Sequence, residues 1–257
     1  MPTQKRIPVA VASDAESGAA FVVARVANLL HSVRGKRPVL GLATGRSVAP
    51  IYAALVEAFA RRELDPKALV TFNLDEYVGL PADHPASFRH WMREALFDPA
   101  GIPRGACHFP DAVADGDGSV DAPYERAIRE AGGIDVQLLG IGVNGHIAFN
   151  EPGAARSSRT RRVRLAAETL RENHSFFDGL GAMPEEAITV GIATILETRS
   201  VLLVAWGDSK AEALRRAFVE PVSAECPASY LQEHPGDVEL VLDVHAARAL
   251  ESRLIYA

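Results

Sequence analysis

The sequence holds two cysteines, Cys107 and Cys226, far apart and without the short spacings from which thiolate metal sites are built. Such sparing use excludes a disulfide framework and points to structural thiols in a reducing compartment. No apolar run approaches the roughly 20 residues that span a bilayer. The first apolar run, residues 7–12, is shorter than the core of a secretory signal. These absences lead to the expectation of a cytoplasmic protein with no membrane partner. Basic excess is also missing: the formal net charge is −6, whereas nucleic acid binders carry a basic stripe. No nucleic acid partner is expected, but a small anionic substrate stays open, because a few local donors outweigh overall charge. No Pro-, Gly- or Ser-rich linker and no internal repeat divides the 257 residues. Residues 1–257 therefore read as one domain with room for a large core.

What is present is alternation. Residues 7–12, 38–42, 68–73, 134–139, 201–205 and 239–242 read as buried strands. Helical patterns lie between them. One runs from Ser13, three before Glu16 at capping-box spacing, to about residue 32. Others cover about 49–62, 87–97 with Ser87 as cap, and 124–131 ending at Gly132-Gly133. Residues 167–177, 185–196 and 244–255 also read as largely helical, although 187–191 is ambiguous. Residues 111–121, rich in Asp and Gly, read as an exposed loop. The expected fold class is α/β: a mainly parallel sheet with helices on both faces.

In such folds ligands bind beyond the C-terminal ends of strands, and four chemically suggestive features sit there. The most prominent is Gly140-Ile141-Gly142-Val143-Asn144-Gly145-His146-Ile147-Ala148-Phe149-Asn150-Glu151-Pro152. Its three early glycines let backbone approach a ligand, and His146 with Glu151 nearby suits proton transfer near neutral pH. The loop Thr44-Gly45-Arg46-Ser47, between a strand and a helix, can present amides and hydroxyls to an anion. Asp75 and Glu76 follow a third strand. Consecutive extended residues point to opposite sides, so at most one of the two enters a shared site. Lys210 falls in the first turn of a helix, where the dipole disfavours a cation unless an anion is close. The arginine-rich stretch 156–164 reads as a solvated strand face.

Phe72-Asn73-Leu74-Asp75-Glu76-Tyr77-Val78-Gly79-Leu80, His84-Pro85-Ala86-Ser87-Phe88 and residues 144–152 resemble signatures of the glucosamine/galactosamine-6-phosphate isomerase family. The resemblance runs from about Pro38 to Asp243. It implies a Rossmann-like fold and conversion of glucosamine 6-phosphate and water to fructose 6-phosphate and ammonium, with no redox cofactor and no catalytic metal. It also implies roles. His146 would open the sugar ring with Glu151 as its orienting partner, and Asp75 would move a proton between C2 and C1. Glu76 would support the site from behind, and Thr44, Gly45, Ser47 and Lys210 would hold the phosphate. A galactosamine-6-phosphate deaminase or a 6-phosphogluconolactonase is the nearest alternative. The lactonase needs no C2 base, so the full 73–80 motif favours the deaminase. A sugar-phosphate sensor of similar fold would carry a DNA-binding helix pair, for which the residues before Ile7 leave no room.

Three departures from the family pattern stand out. Asn144 occupies a position where some members carry Asp, so Glu151 must supply the only charge beside His146. Ser175 replaces an arginine that usually precedes the Phe-Phe pair, here Phe176-Phe177. Arg46 replaces a small residue, and Val48 a proline. The expectation is that Arg46 supplies the guanidinium missing at position 175, from the opposite wall. Arg161 matches one residue of the allosteric members' effector site, but Ala154, Val163 and the end at Ala257 do not. Activation by N-acetylglucosamine 6-phosphate is not expected; a homo-oligomer is compatible with the sequence.

Overall fold

The computed structural model describes residues 6–112 and 122–250. Most of the expected 111–121 loop and the end of the expected last helix therefore lie outside the described residues. Seven strands, β1 (Val9–Ala12), β2 (Val39–Leu42), β3 (Val70–Asn73), β5 (Cys107–His108), β6 (Val136–Leu139), β9 (Ser200–Ala205) and β10 (Asp237–Asp243), form one sheet. Its order is β1-β10-β9-β6-β2-β3-β5, and every pairing is parallel. Every residue of β2, β6 and β9 is buried, as strands covered on both faces require. The covering helices include α1 (Ala15–Ser32), α2 (Ala49–Ala60), α3 (Phe88–Met92), α4 (Asp98–Ala100) and α5 (Ala122–Glu130). After β6 come α6 (Ala167–Asn173), α7 (Ile192–Leu196), α8 (Ala211–Phe218) and α9 (Val244–Ala247). Among the described residues no helix is long and apolar enough to cross a membrane.

The order of strands locates the site before any side chain is considered. β2 and β6 are neighbours, yet the chain leaves β2 toward β3 on one side and β6 toward β9 on the other. Their outgoing loops part company, which opens a crevice at the carboxyl ends of these two strands.

A second sheet was not expected. β4 (Asp75–Tyr77), β8 (Glu186–Thr189) and β7 (Arg161–Arg164) pair antiparallel in the order β4-β8-β7. It corrects the helical reading of residues 185–196: only 192–196 are helical, and 186–189 form the central strand. Glu185, Glu186 and Ala187 suit a helix in isolation. Ladder bonds from both neighbours and burial of Ala187, Ile188 and Thr189 outweigh that preference. Two ends also differ. Asp14, not Ser13, caps α1, its extended backbone letting the carboxylate accept from Ser17 N at 2.8 Å. Helix α9 ends at Ala247, short of the expected continuation, of which the part beyond residue 250 lies outside the described residues.

Glu125 fastens the loop after the glycine-rich stretch to this frame. Its buried carboxylate accepts from Thr160 N at 2.9 Å, Thr160 Oγ1 at 2.6 Å and Thr194 Oγ1 at 2.6 Å, with Arg159 at 3.6 Å. Burial raises its pKa, but these donors outweigh burial and hold it below the ordinary range. A depressed carboxylate stabilises the fold above its unfolded pKa, and the effect is lost as pH falls through the folded value. Glu125→Ala should cost about 2–4 kcal/mol in urea unfolding at pH 7, with a smaller difference from wild type near pH 4.

Candidate active site

Three loops line a cavity of about 630 Å³ at the crevice: residues 43–48 after β2, 140–149 after β6, and 206–210 after β9. Asp75 and Phe88 complete one side, and Glu172, Asn173 and Phe176 form a further wall. Of the sequence-selected residues, Thr44, Gly45, Arg46, Ser47, Asp75, His146 and Lys210 line the cavity directly; Asn144, Glu151 and Glu76 stand behind it.

The His146 loop is shaped by two glycines. A side chain on Gly142 would lie 2.1 Å from His146 Cε1, so the imidazole rests against bare backbone. Gly145 has φ +88 and packs against Cys226 Sγ, which excludes any Cβ. Arg216 of α8 donates to Asn144 O at 3.3 Å and Glu225 O at 2.7 Å, tying the loop to its neighbour.

The connection between His146 and Glu151 is not the direct one expected. His146 Nδ1 lies 2.8 Å from Asn144 Oδ1, and Asn144 Nδ2 donates to Glu151 Oε2 at 3.0 Å. The direct Nδ1 to Glu151 separation is 3.6 Å, too long for a hydrogen bond. An ionised carboxylate only accepts, so the amide nitrogen of Asn144 must face Glu151 and its oxygen must face His146. The oxygen can only accept, so Nδ1 carries the proton and Nε2 is the basic nitrogen. Asn144 thus transmits the orientation of Glu151 without sharing its charge. Glu151 also accepts from Thr169 Oγ1 of α6 at 2.5 Å. Burial lowers the pKa of His146, Glu151 pulling it back up and Lys210 lowering it further. The ring is held neutral at neutral pH.

Asp75 opens β4 and is only 5% exposed. Burial, reinforced by the neighbouring Glu76 charge, raises its pKa to about 7, against a weak bond from Thr44 Oγ1 at 3.4 Å. The next residue faces the other way. Glu76 accepts from Phe88 N and Arg89 N, both at 2.9 Å, and so anchors the start of α3. Alternation along the strand separates two adjacent carboxylates into different environments.

Arg46 and Lys210 are cations of another kind from those in the arginine-rich stretch. Arg156, Arg159, Arg162 and Arg164 each pair with a glutamate, and Arg161 donates to Asn150 Oδ1 at 2.9 Å. Among the described residues neither Arg46 nor Lys210 has a carboxylate at ion-pair distance. Burial lowers the pKa of Lys210, with Glu172 acting the other way. The 43–48 loop is held by Trp206 Nε1, which donates to Ser47 O at 2.7 Å. Val48, at the start of α2, offers no side-chain cap, so the first amides of that helix have no side-chain acceptor.

The sequence model of the family described as glucosamine-6-phosphate isomerases/6-phosphogluconolactonase matches residues 13–241. The chain belongs to this family. Within the glucosamine-6-phosphate isomerase/6-phosphogluconolactonase family it is similar to the glucosamine-6-phosphate deaminase of Rhodopirellula baltica. The two are 47% identical over 249 residues, covering 96% of this chain and 97% of the relative. A solved monomeric glucosamine-6-phosphate deaminase superposes with a TM-score of 0.88 at 34% identity, covering 95% of this chain and all of that one. The 6-phosphogluconolactonase of Trypanosoma cruzi, at 21% identity and a TM-score of 0.78 over 96% and 98% of the two chains, shares the fold. The α/β, Rossmann-like architecture expected from the sequence is therefore that of the family.

Sequence reading set position 175 on a wall opposite Arg46 but missed Glu172 and Asn173 there, and the bond from Thr169. The Phe176-Phe177 pair was a usable signal for the wall. Thr169 carried none, because a threonine inside a helical pattern does not reveal its partner.

Proposed function

We propose that the chain converts D-glucosamine 6-phosphate and water to D-fructose 6-phosphate and ammonium. The observation that carries this reading is one cavity lined by His146, the buried carboxylate of Asp75, and Arg46 and Lys210, neither cation having a carboxylate at ion-pair distance among the described residues. Phosphate would be bound by the amides and hydroxyls of Thr44, Gly45 and Ser47, with charge from Lys210 and Arg46. Fixing the phosphate places the other end of the sugar with little orientational freedom.

His146 then takes the C1 hydroxyl proton at Nε2 and delivers a proton to the ring oxygen, opening the ring. Asn144 and Glu151 keep the imidazole in the required tautomer. Asp75, ionised, removes the C2 proton while the C1 oxygen gains one from the substrate's ammonium group, giving the enolamine. Asp75 then returns its proton to C1, which leaves a protonated imine at C2. Water adds to that imine, and the C–N bond breaks to release ammonium and the ketose. Phe88 and Phe149, stacked with centroids 5.9 Å apart, line the same cavity as Asp75 and add apolar surface to it.

The test is ammonium release from glucosamine 6-phosphate by the purified protein, followed beside fructose 6-phosphate formation. Equal molar amounts of both products are expected. Absence of either one removes the proposal.

A further inference from the structure

Arg46 makes two contacts, and both reach across the cavity. Its Nη2 donates to Ser175 Oγ at 2.7 Å, and its guanidinium lies over the Phe176 ring at 5.4 Å. The two partners are more than a hundred residues away in sequence, on the wall that follows α6. A long arginine on an exposed loop would otherwise sample many rotamers.

These contacts differ from the glutamate pairs of Arg156, Arg159, Arg162 and Arg164. A glutamate partner fixes an arginine but cancels its charge, as with Arg162 and Glu186 at 2.6 Å. Ser175 accepts one N–H and Phe176 covers one face, so the charge is retained while the rotamer is restricted. The remaining edge of the guanidinium has no acceptor among the described residues, and Arg46 lines the cavity together with Lys210.

We propose that Ser175 and Phe176 are positioning residues that hold the Arg46 guanidinium as a preformed phosphate clamp joining the two walls of the cavity. The inference rests on the sugar-phosphate reading above and adds a mechanism for affinity. Preorganisation removes part of the ordering cost of binding. Ser175 Oγ lies 2.7 Å from the Arg46 guanidinium, so an arginine placed at position 175 would enter the cavity from the same wall, with space left for it by Arg46→Gly.

The experiment compares wild type, Ser175→Ala, Ser175→Ala/Phe176→Leu, Arg46→Gly and Arg46→Gly/Ser175→Arg. Inorganic phosphate binding is measured by calorimetry, and KM and kcat by ammonium release. Ser175→Ala/Phe176→Leu should weaken phosphate and raise KM about five- to tenfold, with kcat within about twofold of wild type. Arg46→Gly should weaken both by about thirtyfold or more, and adding Ser175→Arg should recover at least about tenfold of that. Both alanine and leucine changes fall on partly exposed residues; if the double variant has a lowered melting midpoint, Ser175→Ala decides alone, with about a threefold effect expected. Unchanged phosphate affinity in the Ser175 variants, or no recovery by Ser175→Arg, overturns the clamp. Wild type that binds phosphate but releases no ammonium overturns the deaminase reading instead and leaves the calorimetric comparison intact.

Discussion

Asp75→Asn is expected to lower kcat for ammonium release by about 10³-fold while KM for the sugar phosphate changes less than about threefold. The amide keeps the shape of the carboxylate but cannot accept the C2 proton, and the link to the phosphate loop, from Thr44 Oγ1 at 3.4 Å, is a weak one that an amide oxygen can also accept. Only the ionised form of Asp75 is a base. With its pKa raised to about 7 by burial and by Glu76, wild-type kcat/KM should rise with pH and level off above that value. The same shift has a consequence for stability. A carboxylate whose pKa is raised on folding disfavours the folded state once it ionises. That cost grows as pH climbs from about 4, the unfolded aspartate value, and is complete above the folded value. Asp75→Asn should therefore melt at a higher temperature than wild type, and by a wider margin at pH 8 than at pH 5. A variant that is inactive but also less stable at pH 8 would contradict the assigned origin of the shift.

His146→Gln should lose about 10²-fold in kcat, because spontaneous ring opening then limits the reaction. The relay explains what its neighbours do. Asn144→Leu removes the acceptor for Nδ1–H and frees the imidazole to take the wrong tautomer, at a cost of about tenfold. Adding it to His146→Gln should cost nothing further, since both changes act through one ring. If the two losses multiply, Asn144 has a role apart from His146 and the relay is wrong. Supplying the open-chain form rapidly, with a mutarotation catalyst in the assay, should restore part of the His146→Gln rate and none of the Asp75→Asn rate. That contrast separates ring opening from proton transfer at carbon.

The alternation of buried apolar runs with amphipathic stretches was enough to specify a parallel α/β sheet, because local periodicity reports directly on burial. Motif residues that follow strands could be assigned to one end of that sheet for the same reason, which is how Thr44, Asp75, His146 and Lys210 were selected. Alternation along an extended chain, a local rule, also showed that at most one of the adjacent Asp75 and Glu76 could enter the site, while the choice of Asp75 came from the family resemblance. Long-range pairing was not legible. Strand β8 carries a helix-favouring start, and only the ladders to β4 and β7 make it a strand. The amide bridge of Asn144 between His146 and Glu151 depends on a loop shape set by Gly142, Gly145 and Cys226. Arg46 meets Ser175 and Phe176 only because chain segments far apart in sequence close over one crevice. Residue types and local order thus determined the fold class and the chemical groups available. Tertiary structure alone decided their partners, because hydrogen bonds and charge effects act over a few ångströms of space regardless of separation along the chain.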